Sequence, residues 1–132
     1  MKNGKSLVYT YKMLDLNLNS LIVSSENPEK LREFYGKVFD KKPDMDQNGY
    51  FGWLIGKAFI TFGPHDKVKG KSTNPERVMF NFESEDVKGE FERIKNLGAS
   101  VIAEPYDMGG MWIATLSDPD GNYFQLLSPW KE

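Results

Sequence analysis

The sequence predicts an α+β fold made of two βαβββ modules, and three observations carry that prediction. Apolar faces at helical period occur twice, each directly after a β-patterned run. Each helical stretch is followed by three short β-rich runs separated by turn residues. The halves also match as sequence. Leu21-Ile22-Val23 lines up with Val78-Met79-Phe80 at a shift of 57 residues, and Leu31, Tyr35 and Val38 line up with Val87, Phe91 and Ile94 at 56. The one-residue difference falls in the turn between strand and helix, where an insertion costs little. The predicted boundaries are an N-terminal extension over 1–13 and one domain over 14–132. Its modules span about 14–63 and 76–129, joined by a linker loop at 64–75.

Taken in order, Met13 to Ser24 alternates and then turns apolar, as a strand with one buried face does. Asn27-Pro28 supplies an N-cap and a first helical proline. Leu31, Phe34, Tyr35 and Val38 then fall on one face of a helix ending near Asp40. Short strands are predicted at Pro43–Gln47, Tyr50–Ile55 and Ala58–Phe62, with Asn48-Gly49 and Gly56-Lys57 at the turns. Gly70-Lys71-Ser72 imitates a phosphate loop, but that motif needs a glycine where His65 stands, so a solvated loop is expected. Arg77–Phe82 is the strand of the second module. Ser84 is its expected helix cap, with Glu85 and Asp86 adding negative charge to the first turn. Val87, Phe91 and Ile94 form the apolar face, and Asn96-Leu97-Gly98 stops the helix. Ser100–Glu104, Met111–Leu116 and Tyr123–Leu127 complete the set.

Composition removes several functions. With no cysteine there are no disulfides, thiolate metal sites or Cys nucleophiles, and the single histidine, His65, lies in a polar loop without a triad partner. A net charge of −2 with both signs interspersed argues against a nucleic-acid footprint. No apolar run approaches the ~18 residues of a membrane helix, and no apolar signal segment opens the chain. The expectation is a soluble cytoplasmic protein. Aromatic residues make up 14% of the chain, enough for a core and for a pocket wall.

The last two strands flank Asp118-Pro119-Asp120-Gly121-Asn122, a turn in which Pro presets φ, Gly takes positive φ and Asp binds nearby N–H groups. A duplicated βαβββ chain closing on these residues resembles the vicinal oxygen chelate superfamily, which groups glyoxalase I, bleomycin-resistance proteins and extradiol dioxygenases. Asn27-Pro28-Glu29 through Phe34-Tyr35, and Leu97-Gly98-Ala99, also match, so the resemblance spans Leu16 to Pro129. It implies that each module curls into half a barrel around a ligand cavity, and that the chain pairs as a homodimer.

Metal-dependent members hold a divalent ion with His, Gln or Glu. The resemblance places those positions at Ser20, fourteen residues before Phe34, at Arg77, at Gln125, and near Phe59 to Thr61. Ser and Gln are poor or occasional ligands, and a guanidinium repels the ion. At ~4 Å and an effective dielectric of about 20, each like-charge unit pair costs about 4 kcal/mol, and a dication doubles that. The expectation is therefore no metal and no other cofactor.

If alternate residues face inward, Ser20 meets Arg77, Met79 and Asn81 from the other module, with Tyr123 and Gln125 from the last strand. Arg77 is the candidate for holding an anionic group, with Gln125 and Ser20 orienting it. Trp53 and Trp112, with Met111, Tyr50 and Phe51, are candidates for an aromatic wall, and Gly109-Gly110 for a hinge beside it. The reading is a metal-free protein that binds a small aromatic or anionic molecule. The alternatives are a lyase, isomerase or dioxygenase-like enzyme with a non-standard site, or an interaction module whose cavity is vestigial.

Overall fold

The computed structural model of the chain describes residues 15–130. The predicted extension, 1–13, lies outside them. The first module comprises β1 (Ser20–Ser25), α1 (Pro28–Phe39), β2 (Met45–Gln47), β3 (Tyr50–Ile55) and β4 (Ala58–Pro64). The second comprises β5 (Phe80–Glu83), α2 (Val87–Asn96), β6 (Ser100–Met108), β7 (Met111–Ser117) and β8 (Tyr123–Leu127). The sheets have the same connectivity, β1-β4-β3-β2 and β5-β8-β7-β6, with the first strand of each parallel to the last. They are two curved four-stranded sheets and do not close into one barrel.

Both first strands begin later than the sequence predicts, for one reason. Ser20 pairs with Phe59 near the start of β4, and Phe80 pairs with Phe124 near the start of β8. The described residues just before Ser20, 15–19, and those just before Phe80 extend past the end of their partner strand and lack a ladder to join. Conversely, β6 runs to Met108 rather than Glu104, with irregularities between Val101 and Tyr106 that carry it past Pro105.

The helix entries are alike. Ser25 Oγ accepts the Asn27 N–H at 2.9 Å, and Ser84 Oγ accepts the Asp86 N–H at 3.0 Å. The second N-cap is thus Asp86, which accepts the Gly89 N–H; Ser84 sits two residues earlier and sets up the turn. This match, together with the pairing registers, relates the first strands by 59 residues instead of 57. Ile22 then corresponds to Asn81, Ser20 to Met79 and Thr61 to Gln125. A shift of two preserves strand alternation, which is why the apolar pattern alone tolerates either register.

The helix-bearing faces of the two modules pack on each other. Phe34 meets Phe124 with ring centroids 6.0 Å apart, Phe39 meets Phe82 at 5.5 Å, and Tyr35 meets Phe124 at 6.1 Å. Leu31, Tyr35, Trp53, Phe62, Phe91 and Phe124 belong to one continuous core. Arg93 of α2 donates to the carbonyls of Lys37 and Val38, covering acceptors that the end of α1 leaves unpaired. Within one chain the space between modules is therefore filled, and the opposite face of each sheet is left open. No helix among the described residues is long and apolar enough to cross a membrane.

Candidate functional site

The open faces follow from strand alternation. In β1, Val23 and Ser25 turn inward, which leaves Ser20, Ile22 and Ser24 on the open side. In β5 and β8, Phe80, Phe82, Phe124 and Leu126 enter the core, leaving Asn81, Tyr123, Gln125 and Leu127 outside it. In β7, Ala114 and Leu116 pack inward, so Ile113 and Thr115 take the open side.

Asn81 pairs with Gln125, and Gln125 with Thr115, so three polar side chains form a row across β5, β8 and β7. Gln125 Nε2 donates to Thr115 Oγ1 at 3.2 Å. Thr115 and Ile113 are only 6% and 5% exposed although no helix covers this side, so the row is buried at its β7 end, half-buried at Gln125 and exposed at Asn81. Thr115 was not singled out from the sequence. Its position two residues from Ile113 was legible there, but its pairing with Gln125 was not.

The open face of the first sheet is different in kind. The ring of Phe59 lies against Gly52, where a Cβ would come within 2.5 Å of it, and the ring of Tyr50 covers Gly63. Tyr50 Oη donates to the Pro64 carbonyl. Ile22 and Leu54 are exposed beside them. This wall is richer in aromatic surface, with Ser20 and Ser24 at its β1 edge, whereas the other carries the polar row.

The remaining candidates separate. Met79 stands just before β5, corresponding to Ser20, and Tyr123 faces the same side as Gln125. Arg77 is exposed in the bend before β5, four residues from Asn81, a reach of up to about 13 Å along extended chain. Among the described residues no carboxylate pairs with it. Trp53 leaves the expected aromatic wall: it is fully buried on the helix side, with Nε1 donating to Lys41 O at 3.0 Å. Phe51 is buried beside it. Trp112 also faces the helices, its ring under Lys88 Nζ at 4.0 Å. Its position in β7 has the parity of Ala114, so it points away from the Gln125 row. Of the proposed wall, Tyr50 and Met111 keep to the open side.

The turn at 118–122 is structural. Asp118, 5% exposed, accepts from Tyr35 Oη at 2.7 Å, from the N–H groups of Asp120 and Asn122, and from Asn122 Nδ2. Burial pushes its carboxyl above the ordinary value of 3.8, against the downward pull of these hydrogen bonds. Burial first, and the Asp118 charge second, holds the Tyr35 phenol well above its ordinary range. With its oxygens occupied by four donors, Asp118 has no free lone pair aimed at a ligand.

Among the described residues no three His, Asp or Glu side chains gather as a metal site. The donor set that the resemblance assigns to an ion does not fit one. Ser20 and Gln125 are neutral, Arg77 is cationic, and the pairing register sets Asn81 rather than Arg77 beside Gln125.

A family model described as a glyoxalase-like domain matches residues 20–127. The chain belongs to the glyoxalase-like domain family. It thereby joins the glyoxalase/bleomycin resistance/dioxygenase group, the vicinal oxygen chelate superfamily. An uncharacterized protein of Bacillus subtilis (strain 168), YetH, is 25% identical over 116 residues, covering 83% of this chain and 95% of that protein. A glyoxalase/bleomycin resistance protein/dioxygenase family enzyme from Burkholderia phytofirmans PsJN superposes with a TM-score of 0.70 at 21% identity, over 86% of this chain and 98% of that one. The fosfomycin resistance protein FosX from Listeria monocytogenes superposes at 0.64 and 21% identity, over 89% and 94%. At these identities the structural matches speak for the shared fold.

Proposed function

We propose that this glyoxalase-like protein binds a small planar organic molecule without a metal ion, in a site completed by pairing of two copies. The observation that carries the reading is the Asn81–Gln125–Thr115 row, neutral and hydrogen-bonding, with apolar side chains on both sides. Small-molecule sites combine mostly apolar walls with a few convergent polar groups. Each open face alone is half of such a site. The exposed Ile22 and Leu54 of the first sheet supply further apolar surface that could cover a bound molecule. The anionic alternative rested on Arg77, which stands off the row, so the geometry favours the aromatic one.

Elemental analysis of protein purified without chelator, combined with thermal-shift screening of planar aromatics and small acids, tests this. The expected outcome is no stoichiometric divalent metal, and stabilisation by aromatics that is lost in Gln125→Leu. A ligand at 100 times its Kd should add about 2.7 kcal/mol. Stoichiometric Zn, Ni, Mn or Fe, or stabilisation that survives Gln125→Leu unchanged, overturns the reading.

A further inference from the structure

The polar row also specifies what kind of molecule it can hold. Gln125 commits one Nε2–H to Thr115 Oγ1. Its second N–H and its carbonyl oxygen remain, and the Thr115 hydroxyl, having accepted, keeps its proton to donate. Asn81, paired with Gln125 on the neighbouring strand, adds an exposed carboxamide with donors and an acceptor of its own. The row thus offers donors and acceptors side by side and carries no charge.

Its surroundings are asymmetric in charge. Glu83 shares the open side of β5 with Asn81, one alternation along the strand at roughly 7 Å. Arg77, the candidate cation, is twice as far along the chain in the other direction. An anion in the row would meet the amide N–H donors but leave the amide oxygens unpaired, with the Glu83 carboxylate nearby and no cation in the row to offset its desolvation. Leu127 and Ile113, paired with each other, flank the row on one side, and Tyr123 flanks it on the other. They provide apolar surface for a ring.

We infer that the ligand is an uncharged, planar molecule with a carboxamide-type edge: a primary amide, lactam, cyclic imide or urea. That edge has one N–H and one C=O side by side, and it pairs in two-point fashion with the Asn81 and Gln125 amides. The ring lies against Leu127, Ile113 and Tyr123. The inference rests on the small-molecule reading above and narrows it to one chemical class.

Matched probes that differ in charge but hardly in shape test it: benzamide against benzoate, nicotinamide against nicotinate, with toluene as a ring lacking any polar edge. Ligand-detected NMR titrations at pH 7 should give each amide about ten-fold tighter binding than its carboxylate and than toluene. Asn81→Leu and Gln125→Leu should each bring that ratio close to one while the circular dichroism spectrum is unchanged. Carboxylates that bind as well as the amides, or toluene that binds equally, overturn the carboxamide assignment and leave the small-molecule reading standing. Amide preference that persists in both variants also overturns it, since the selectivity would then arise elsewhere. Failure of every probe, toluene included, removes the small-molecule reading together with this one.

Discussion

Asp118 is a carboxylate with four donors in a place that water scarcely reaches, and it joins the hairpin turn of one module to α1 of the other. Tyr35→Phe removes one donor and leaves the rest, with the carboxylate still buried. It should cost about 1–3 kcal/mol in urea unfolding. The pH dependence has a definite sign. Because the folded carboxyl titrates above the ordinary 3.8, the folded state binds more protons than the unfolded one within that window. Stability from this group therefore falls as pH rises from the ordinary value through the folded one. Asp118→Asn should abolish that component, so the slope of stability against pH just above the ordinary carboxyl value should be more positive in the variant than in the parent. A slope identical in the two proteins would show that Asp118 does not titrate this way. From the sequence the turn itself was legible, because Pro, Gly and Asp announce their backbone preferences locally. Its bond to Tyr35 was not, since 83 residues separate the partners.

Among the elements, β3 and β4 of the first sheet are held at a close approach by Gly52. A Cβ there would lie 2.5 Å from the Phe59 ring and 2.8 Å from the Ile60 carbonyl. The ring can swing away, but the backbone oxygen cannot. Gly52→Ala should thus destabilise by about 1–3 kcal/mol and shift the Phe59 ring resonances. A variant with the parent melting temperature would mean that the strands part without cost. Both helices, all eight strand locations and the fold class were readable from period and turn residues. The starts of β1 and β5, the register between modules, and the direction in which Trp53 and Trp112 point were not. A tryptophan reads as core or as pocket from composition alike. Only the alternation of β3 and β7 against the buried helices shows both facing inward.

At the scale of the molecule, the modules bury their helix-bearing faces against each other and turn their other faces outward. Ile22 is 67% exposed on one of those faces. If two copies pair there, Ile22→Glu should convert a dimer to a monomer in sedimentation velocity while the fold survives. A parent protein that sediments as a monomer at tens of micromolar (an affinity weaker than about −6 to −7 kcal/mol) refutes the pairing, as does a variant that remains dimeric.

What this amino-acid sequence determined by itself was local. Helical and strand periods, turn chemistry and the repeated order of elements specify two βαβββ modules, because each depends on residues within a few positions of one another. The tertiary structure decided which side of each sheet the modules share, and which residues stand abreast across strands. Asn81, Gln125 and Thr115 come from three strands and meet through pairing alone. Arg77 falls away from that row because it precedes the ladder, and the two tryptophans because strand alternation turns them to the helix side; pairing and alternation, not distance along the chain, set a side chain's neighbours.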